Sequence, residues 1–387
     1  RSAAVAALVV AVGLTAFSVV QWPAFNSSNV TRAVTTVGQV VATGVLAVAV
    51  VLARRHVRPL WWKPLSWIGL SAFVTVTLGM PLAATKLYLF GVSVDQEFRT
   101  EYLTRLTDSP ALQDMTYADL PPYYPAGWFW VGGRIADALG LAGWEAYKPW
   151  AIGSLAIAAV IGLVLWSALV RRDLAILAAL GVTALVLAYA SPEAYGAVIA
   201  VLIPPILVLA WGGLHRPGAS RGAGWGAVVA TGLFLGVSAT VYTLYLGFTA
   251  FAVTLMALTS AFLRYRATRT VRAVLDPALR LIVVAVLSGL LALTVWAPYL
   301  AAALTGRTAE SGTALHYLPA TGAELPLPMA QFTLLGALCL VGSVWILVRL
   351  KDSRRAQALG IGVVSVYLWS LLSMLATVAG TTLLGFR

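Results

Sequence analysis

Charged residues are scarce in this chain. They make up 10% of its 387 residues, where a soluble globular domain carries about 25%. With 60% apolar residues and a mean hydropathy of +0.88, that scarcity excludes an ordinary soluble domain. Cysteine is scarcer still. Cys339 is the single one, so no internal disulfide can form, and its place in an apolar run reads as a small buried hydrophobe rather than a reactive thiol. Strand-like alternation is missing too: the apolar signal is continuous, which points away from a closed barrel and toward helices. No Gly-rich nucleotide loop occurs, and the pairs Gly132-Gly133 and Gly212-Gly213 are ordinary for membrane helices. The apolar runs hold almost no ionisable residue, which disfavours an ion-coupled transporter built around a midplane carboxylate. Pro204-Pro205 in the sixth run can kink a helix, and such a kink is packing more often than a substrate site.

What is present is a series of runs long enough to cross about 30 Å of hydrocarbon. We expect about eleven transmembrane helices, near 3–21, 34–53, 65–84, 149–170, 174–190, 194–213, 225–244, 247–263, 281–303, 329–348 and 358–384. The first reads as a helix that stays, since no small-residue cleavage site precedes a soluble domain. The chain starts at Arg1 and stops just after an apolar run, so it reads as part of a longer protein.

The charges sort by side. Arg1 and the connections Arg54–Lys63, Arg171–Asp173, His215–Arg221, Arg264–Arg280 and Arg349–Arg355 hold 18 Lys+Arg and 3 Asp+Glu. The opposite connections hold 8 and 11. Short basic loops stay in the cytoplasm, so the N-terminus is expected inside a plasma membrane, and the long connections 85–148 and 304–328 outside. The basic residues are scattered over five loops without interleaved aromatics, which is a topology signal and not a nucleic-acid footprint.

Six of the 14 acidic residues fall in one outer stretch, VDQEFRTEYLTRLTDSPALQDMTYADLPPYYPAGWFW. DQEFRTEYLTRL predicts an amphipathic helix. Asp95 and Arg99 share a face at spacing four, as do Glu101 and Arg105, and Phe98, Tyr102 and Leu106 form its apolar stripe. The bland reading is an interfacial anchor, but such anchors favour Lys and Arg on the polar face. Pro121, Pro122 and Pro125 then stiffen a segment bearing Tyr123, Tyr124, Trp128, Phe129 and Trp130. That is a shelf for an apolar chain or a sugar face, or else an interfacial aromatic belt. A second helix is expected over Gly127–Trp144, carrying Arg134.

A carboxylate near arginines above a bilayer suits sugar transfer from a lipid phosphate, because the acceptor hydroxyl needs a base and the leaving phosphate needs cations. Asp95 is read as the general base, with Gln96 and Glu97 as weaker candidates for orienting the acceptor or a metal. For the donor phosphate the candidates are Arg99, Arg105 and Arg134, with Lys86, Arg307 and His316. Arg99 and Arg105 read equally as helix-surface partners of Asp95 and Glu101. Glu193 and Tyr195 are placed near the Asp95 cleft, and His316-Tyr317 lies in the second outer loop. The carboxylates Asp95, Glu97, Glu101, Asp108, Asp114 and Asp119 offer oxygen ligands for a hard divalent ion. Their spacing fits no EF-hand pattern, and no metal ligand or cofactor is assigned.

Multi-span glycosyltransferases of the C-type fold carry an Asp at the start of the first large outer loop, followed by juxtamembrane helices and a Tyr-Pro turn. Asp95 and PPYYPAGWFW match that layout. DQEFRTEYLTRLTDSPALQDMTYADLPPYYPAGWFWVGGRIADALG and ASPEAYGAVIAVLIPPILVLAW resemble the N-terminal membrane region of galactan 5-O-arabinofuranosyltransferases. The resemblance covers most of the chain and is most specific over Val94–Trp150. It implies transfer of arabinofuranose from decaprenylphosphoryl-arabinose to the galactan of arabinogalactan. It also implies a C-terminal extracytoplasmic domain after the last span, which is expected to lie outside this chain. Composition and spacing alone leave other readings open: a transporter of a lipid-linked saccharide, a scaffold for cell-wall enzymes, or a C-type transferase for a different sugar.

Overall fold

The computed structural model describes residues 1–24, 28–55, 58–93, 95–117, 119–216, 222–308 and 325–379. Its regular elements are helices: α1 (Ser2–Ser18), α2 (Asn29–Arg54), α3 (Pro59–Gly79), α4 (Gln96–Asp108), α5 (Gly127–Ala138), α6 (Gly143–Leu169), α7 (Arg172–Tyr189) and α8 (Ala194–Ala200). Then come α9 (Ile203–Leu214), α10 (Trp225–Val241), α11 (Thr243–Thr268), α12 (Arg272–Leu304), α13 (Leu334–Arg349) and α14 (Arg354–Val378). The protein is thus all-α. Each expected apolar run carries a helix. Among the described residues, seven have both the length and the hydropathy to cross a membrane, with α8 and α9 together counted as one, Ala194–Leu214. α1, α10 and α13 are apolar but shorter, and α3 carries Trp61, Trp62, Lys63 and Trp67 near its start. Length and composition therefore support seven crossings, against the eleven expected.

Two compact units divide the chain. The first comprises Arg1–Pro205 with Thr240–Tyr242 and Val295–Gly306. Here α2 packs on α3 and α7, α1 on α3 and α6, and α6 on α7 and α8. α2 shows the logic. Ser28 caps its start, accepting from the Thr31 N–H at 3.1 Å. Thr35, Ala42, Leu46, Ala49 and Ala53 are buried on one face, while Val37, Val41 and Val48 are exposed on the other. A helix apolar on both its packed and its open faces suits hydrocarbon, not water. α3 stops at Gly79; Met80 still has helical dihedrals and its N–H on the Val76 carbonyl, and Pro81 after it has no N–H to continue the ladder. The run after Glu193 breaks at Val201-Leu202, ahead of Pro204 and Pro205, which have no N–H to continue the ladder.

The outer helices differ from expectation in two ways. The second one ends at Ala138, and Gly140, with φ +64°, turns the chain so that α6 starts at Gly143. More consequentially, the buried face of α4 is Gln96, Arg99, Tyr102, Leu103, Leu106 and Thr107. It docks on α5 and α6, not on lipid. Glycines permit this. A methyl group on Gly133 would overlap the Leu106 carbonyl oxygen, and one on Gly143 would overlap the Thr104 Cα. Gly133→Ala is expected to cost about 1–3 kcal/mol, the usual price of overpacking against backbone. A thermal-unfolding midpoint equal to the parent's would show that α4 does not need this approach.

The second unit comprises Ile206–Ala239, Thr243–Thr294 and Arg307–Arg387. α14 packs on α11 and α13. The Trp211 indole N–H donates to Gln357 Oε1 at 3.1 Å, joining α9 to α14. Buried Arg280 donates to Asp276 Oδ1 at 3.1 Å and to the Gly213 carbonyl at 2.8 Å, and lies over the Trp225 ring.

Candidate functional site

The site is built in the first unit around one buried guanidinium. Arg99, on the inward face of α4, is only 5% exposed at its side chain. Its Nη2 donates to Glu193 Oε1 at 2.8 Å and to Asp95 Oδ2 at 3.3 Å, and its Nε donates to the Tyr195 hydroxyl at 3.2 Å. Tyr195 and Tyr124 share a hydroxyl–hydroxyl bond of 2.7 Å, and the Tyr242 hydroxyl donates to Glu193 Oε2 at 2.9 Å. Burial disfavours the Arg99 charge, but the Tyr195 oxygen and the Glu193 carboxylate outweigh it and raise its pKa above the ordinary value. Burial, then Tyr195, pushes the Tyr124 hydroxyl far above the phenol range, so Tyr124 stays protonated and cannot act as a base.

The two carboxylates are held differently. Glu193 is fixed on both oxygens, by Arg99 and by Tyr242. Asp95 meets Arg99 at the longer distance, and the two carboxylate side chains are equally exposed, at 36% and 35%. It occupies the N-cap position of α4, yet its side chain makes no capping hydrogen bond. Helix capping therefore does not explain an aspartate here.

The loop Ser191–Glu193 is clamped residue by residue. The Tyr88 hydroxyl donates to the Ser191 carbonyl at 2.8 Å, Gln96 Nε2 donates to the Pro192 carbonyl at 2.9 Å, and Arg99 takes Glu193. The Tyr147 hydroxyl adds a 3.4 Å bond to Gln96 Oε1. Gln96, read from the sequence as a possible acceptor-orienting group, is buried and holds this turn instead. Tyr88 and Tyr147 carry no sequence signal of this role; nothing local marks tyrosines whose partners lie 103 residues on, for Tyr88, and 51 residues back, for Tyr147.

Other expected site residues are placed elsewhere. Glu97 lines a cleft of about 480 Å³ on the outer face of α4, with Glu101, Arg105 and Asp108. The acidic loop thus splits into two groups, and Asp114 is occupied by the Thr116 and Tyr117 N–H groups at 3.0 Å each. Among the described residues, no three His, Cys, Asp or Glu side chains are grouped to hold a metal ion. Arg105 donates to Gln113 at 2.5 Å rather than pairing with Glu101. Arg134 donates to the Leu106 and Thr107 carbonyls and to Asp137, so it caps the C-terminal end of α4. The aromatic shelf is largely interior. Trp128 is buried against Phe129, Tyr147, Trp150 and Tyr195, with its indole N–H on Ser154 at 3.0 Å. Tyr123 meets the edge of Tyr299 at 5.6 Å. His316 and Tyr317 lie outside the described residues.

A family model described as Arabinofuranosyltransferase N terminal matches residues 1–387. Three curated relatives carry the name galactan 5-O-arabinofuranosyltransferase. The protein from Mycolicibacterium smegmatis is 56% identical over 383 residues, covering 99% of this chain and 60% of the relative. That from Mycobacterium leprae is 53% identical over 395 residues, covering 100% and 62%. That from Corynebacterium glutamicum is 38% identical over 400 residues, covering 96% and 58%. The chain spans about 60% of the length of these relatives. The resemblance carried by the outer loop is borne out, and the chain belongs to the arabinofuranosyltransferase N-terminal family.

Proposed function

We propose that this chain is the membrane part of an arabinofuranosyltransferase that adds arabinofuranose to galactan, taking the sugar from a polyprenyl-phosphate donor at the outer face of the plasma membrane. The family and the names of its relatives support the sugar and the acceptor. The observation that carries the mechanism is the Asp95–Arg99–Glu193 cluster, in which Asp95 heads α4 with about a third of its side chain exposed and lies 3.3 Å from a buried cation whose nearer partner is Glu193, at 2.8 Å. In this reading, Asp95 takes the proton of the acceptor hydroxyl as its oxygen attacks the anomeric carbon. The bond from that carbon to the lipid-phosphate oxygen breaks, and the polyprenyl phosphate leaves with the electron pair, inverting the centre. Arg99 and Glu193 are positioning residues, since both are committed to internal bonds. The donor phosphate then meets exposed cations such as Lys86, whose ammonium pairs with Glu145 at 2.7 Å while remaining largely in solvent. The charge asymmetry of the connections supports a cytoplasmic N-terminus and up to eleven crossings.

The test is a transfer assay on the full-length protein with decaprenylphosphoryl-arabinose and a short galactan acceptor. A single added pentose is the expected product. Movement of the lipid-linked sugar across vesicles without any pentose on the acceptor would turn the reading into that of a transporter.

A further inference from the structure

The first unit also has a basic end, and nothing in the transfer chemistry uses it. α6 runs from Gly143, which touches α4, to Leu169, and 27 residues of helix span about 40 Å. At its far end, a cavity of about 500 Å³ opens between α2, α6 and α7. It is lined by Ala53 and Arg54, by Ser167 and Val170, and by Arg171, Arg172 and Asp173. Asp173 is matched by Arg171 at 2.6 Å. Arg54 and Arg172 make no ion pair among the described residues. Arg172 is instead laid over the ring of buried Trp62, with its guanidinium carbon 5.6 Å from the centroid. The cavity therefore sets three arginines against one carboxylate. Its lining also includes the apolar side chains of Ala53 and Val170, and the adjoining faces of α2 and α7 are exposed and apolar.

We infer that this cavity binds the phosphodiester head group of an anionic phospholipid. A phosphate diester suits the guanidinium groups of Arg54 and Arg172, which have no carboxylate partner among the described residues. The acyl chains would follow the exposed valines and leucines of α2 and α7 into the bilayer. A soluble anion would use the arginines but not those apolar faces, which selects the lipid as the source. The inference is independent of the sugar-transfer reading, because the cavity and the Asp95 cluster lie at opposite ends of α6.

The experiment is native mass spectrometry of the full-length protein released from nanodiscs containing phosphatidylglycerol and phosphatidylcholine. Preferential retention of phosphatidylglycerol is expected. Arg54→Gln and Arg172→Gln should each weaken it roughly five-fold, the scale of one basic side chain at an anionic surface, and Arg172→Lys should keep most of it. Arg32→Gln, at the other end of α2, is the control and should change nothing. Equal retention of the two lipids would overturn the inference, as would retention unaffected by both glutamine variants in protein with parental thermal stability. Displacement of phosphatidylglycerol by millimolar inorganic phosphate would assign the cavity to a free anion and overturn the lipid.

Discussion

Asp95→Asn is expected to lower the rate of arabinosyl transfer by about 10²–10⁴-fold, the usual contribution of a positioned base. Stability should change little. The asparagine keeps the shape and an acceptor oxygen, Glu193 still meets Arg99 at 2.8 Å, and no capping bond is lost, because Asp95 makes none. A favourable charge at a helix N-terminus is worth only about 0.3–1 kcal/mol. If the aspartate did nothing else, turnover would be nearly normal. A single-turnover measurement at saturating donor separates the cases, and a rate within a factor of a few of the parent's removes Asp95 from the mechanism.

Glu193→Ala should show the opposite balance, with stability lost along with turnover. It strips the nearer of two carboxylates from a guanidinium that is almost fully buried, and it leaves the Tyr242 hydroxyl without the partner at 2.9 Å. Breaking a buried ion pair from one side costs about 3–5 kcal/mol. The lower end, about 3 kcal/mol, is expected here because Asp95 remains to compensate part of the charge. Thermal unfolding of the purified protein checks this. Glu193→Gln should recover part of the loss, since an amide oxygen can still accept from Arg99. An alanine variant as stable as the parent would mean that Arg99 is balanced without Glu193, and the cluster would lose its organising role.

The helices were legible in the sequence because hydrocarbon demands continuous apolarity, and each run from 3–21 to 358–384 carries one. The number of crossings was less so: α1, α10 and α13 are apolar but short, which a hydropathy window does not register. At the site, the grouping of Asp95, Arg99, Glu193 and Tyr195 was legible in the sequence as an unusual gathering of charge and aromatics. Their partners were not. Arg134 looks like any outward cation until the Leu106 carbonyl, 28 residues away, is brought against it. Phe98, Tyr102 and Leu106 looked like the apolar stripe of α4, but the buried face turns to include Gln96 and Arg99, because Gly133 and Gly143 let a protein surface come close enough to satisfy them. Helical periodicity says that a face is buried; it does not say whether lipid or protein covers it.

The clamp on the Ser191–Glu193 turn also sets an order of events during synthesis. Its bonds join residues 103, 96 and 94 positions apart, and Tyr242 closes on Glu193 from 49 residues further on. α4 leaves the ribosome long before any of these partners exists. At about 5–20 residues per second, roughly five to twenty seconds separate the appearance of Arg99 from that of Glu193. Through that interval the arginine has only its neighbour Asp95 for company, and α6 and α7 must be inserted before the turn that receives it can form. The Asp95–Arg99–Glu193 end of this unit is thus among the last parts of it to assemble, and a nascent chain halted before Glu193 would carry α4 without that turn to hold Arg99.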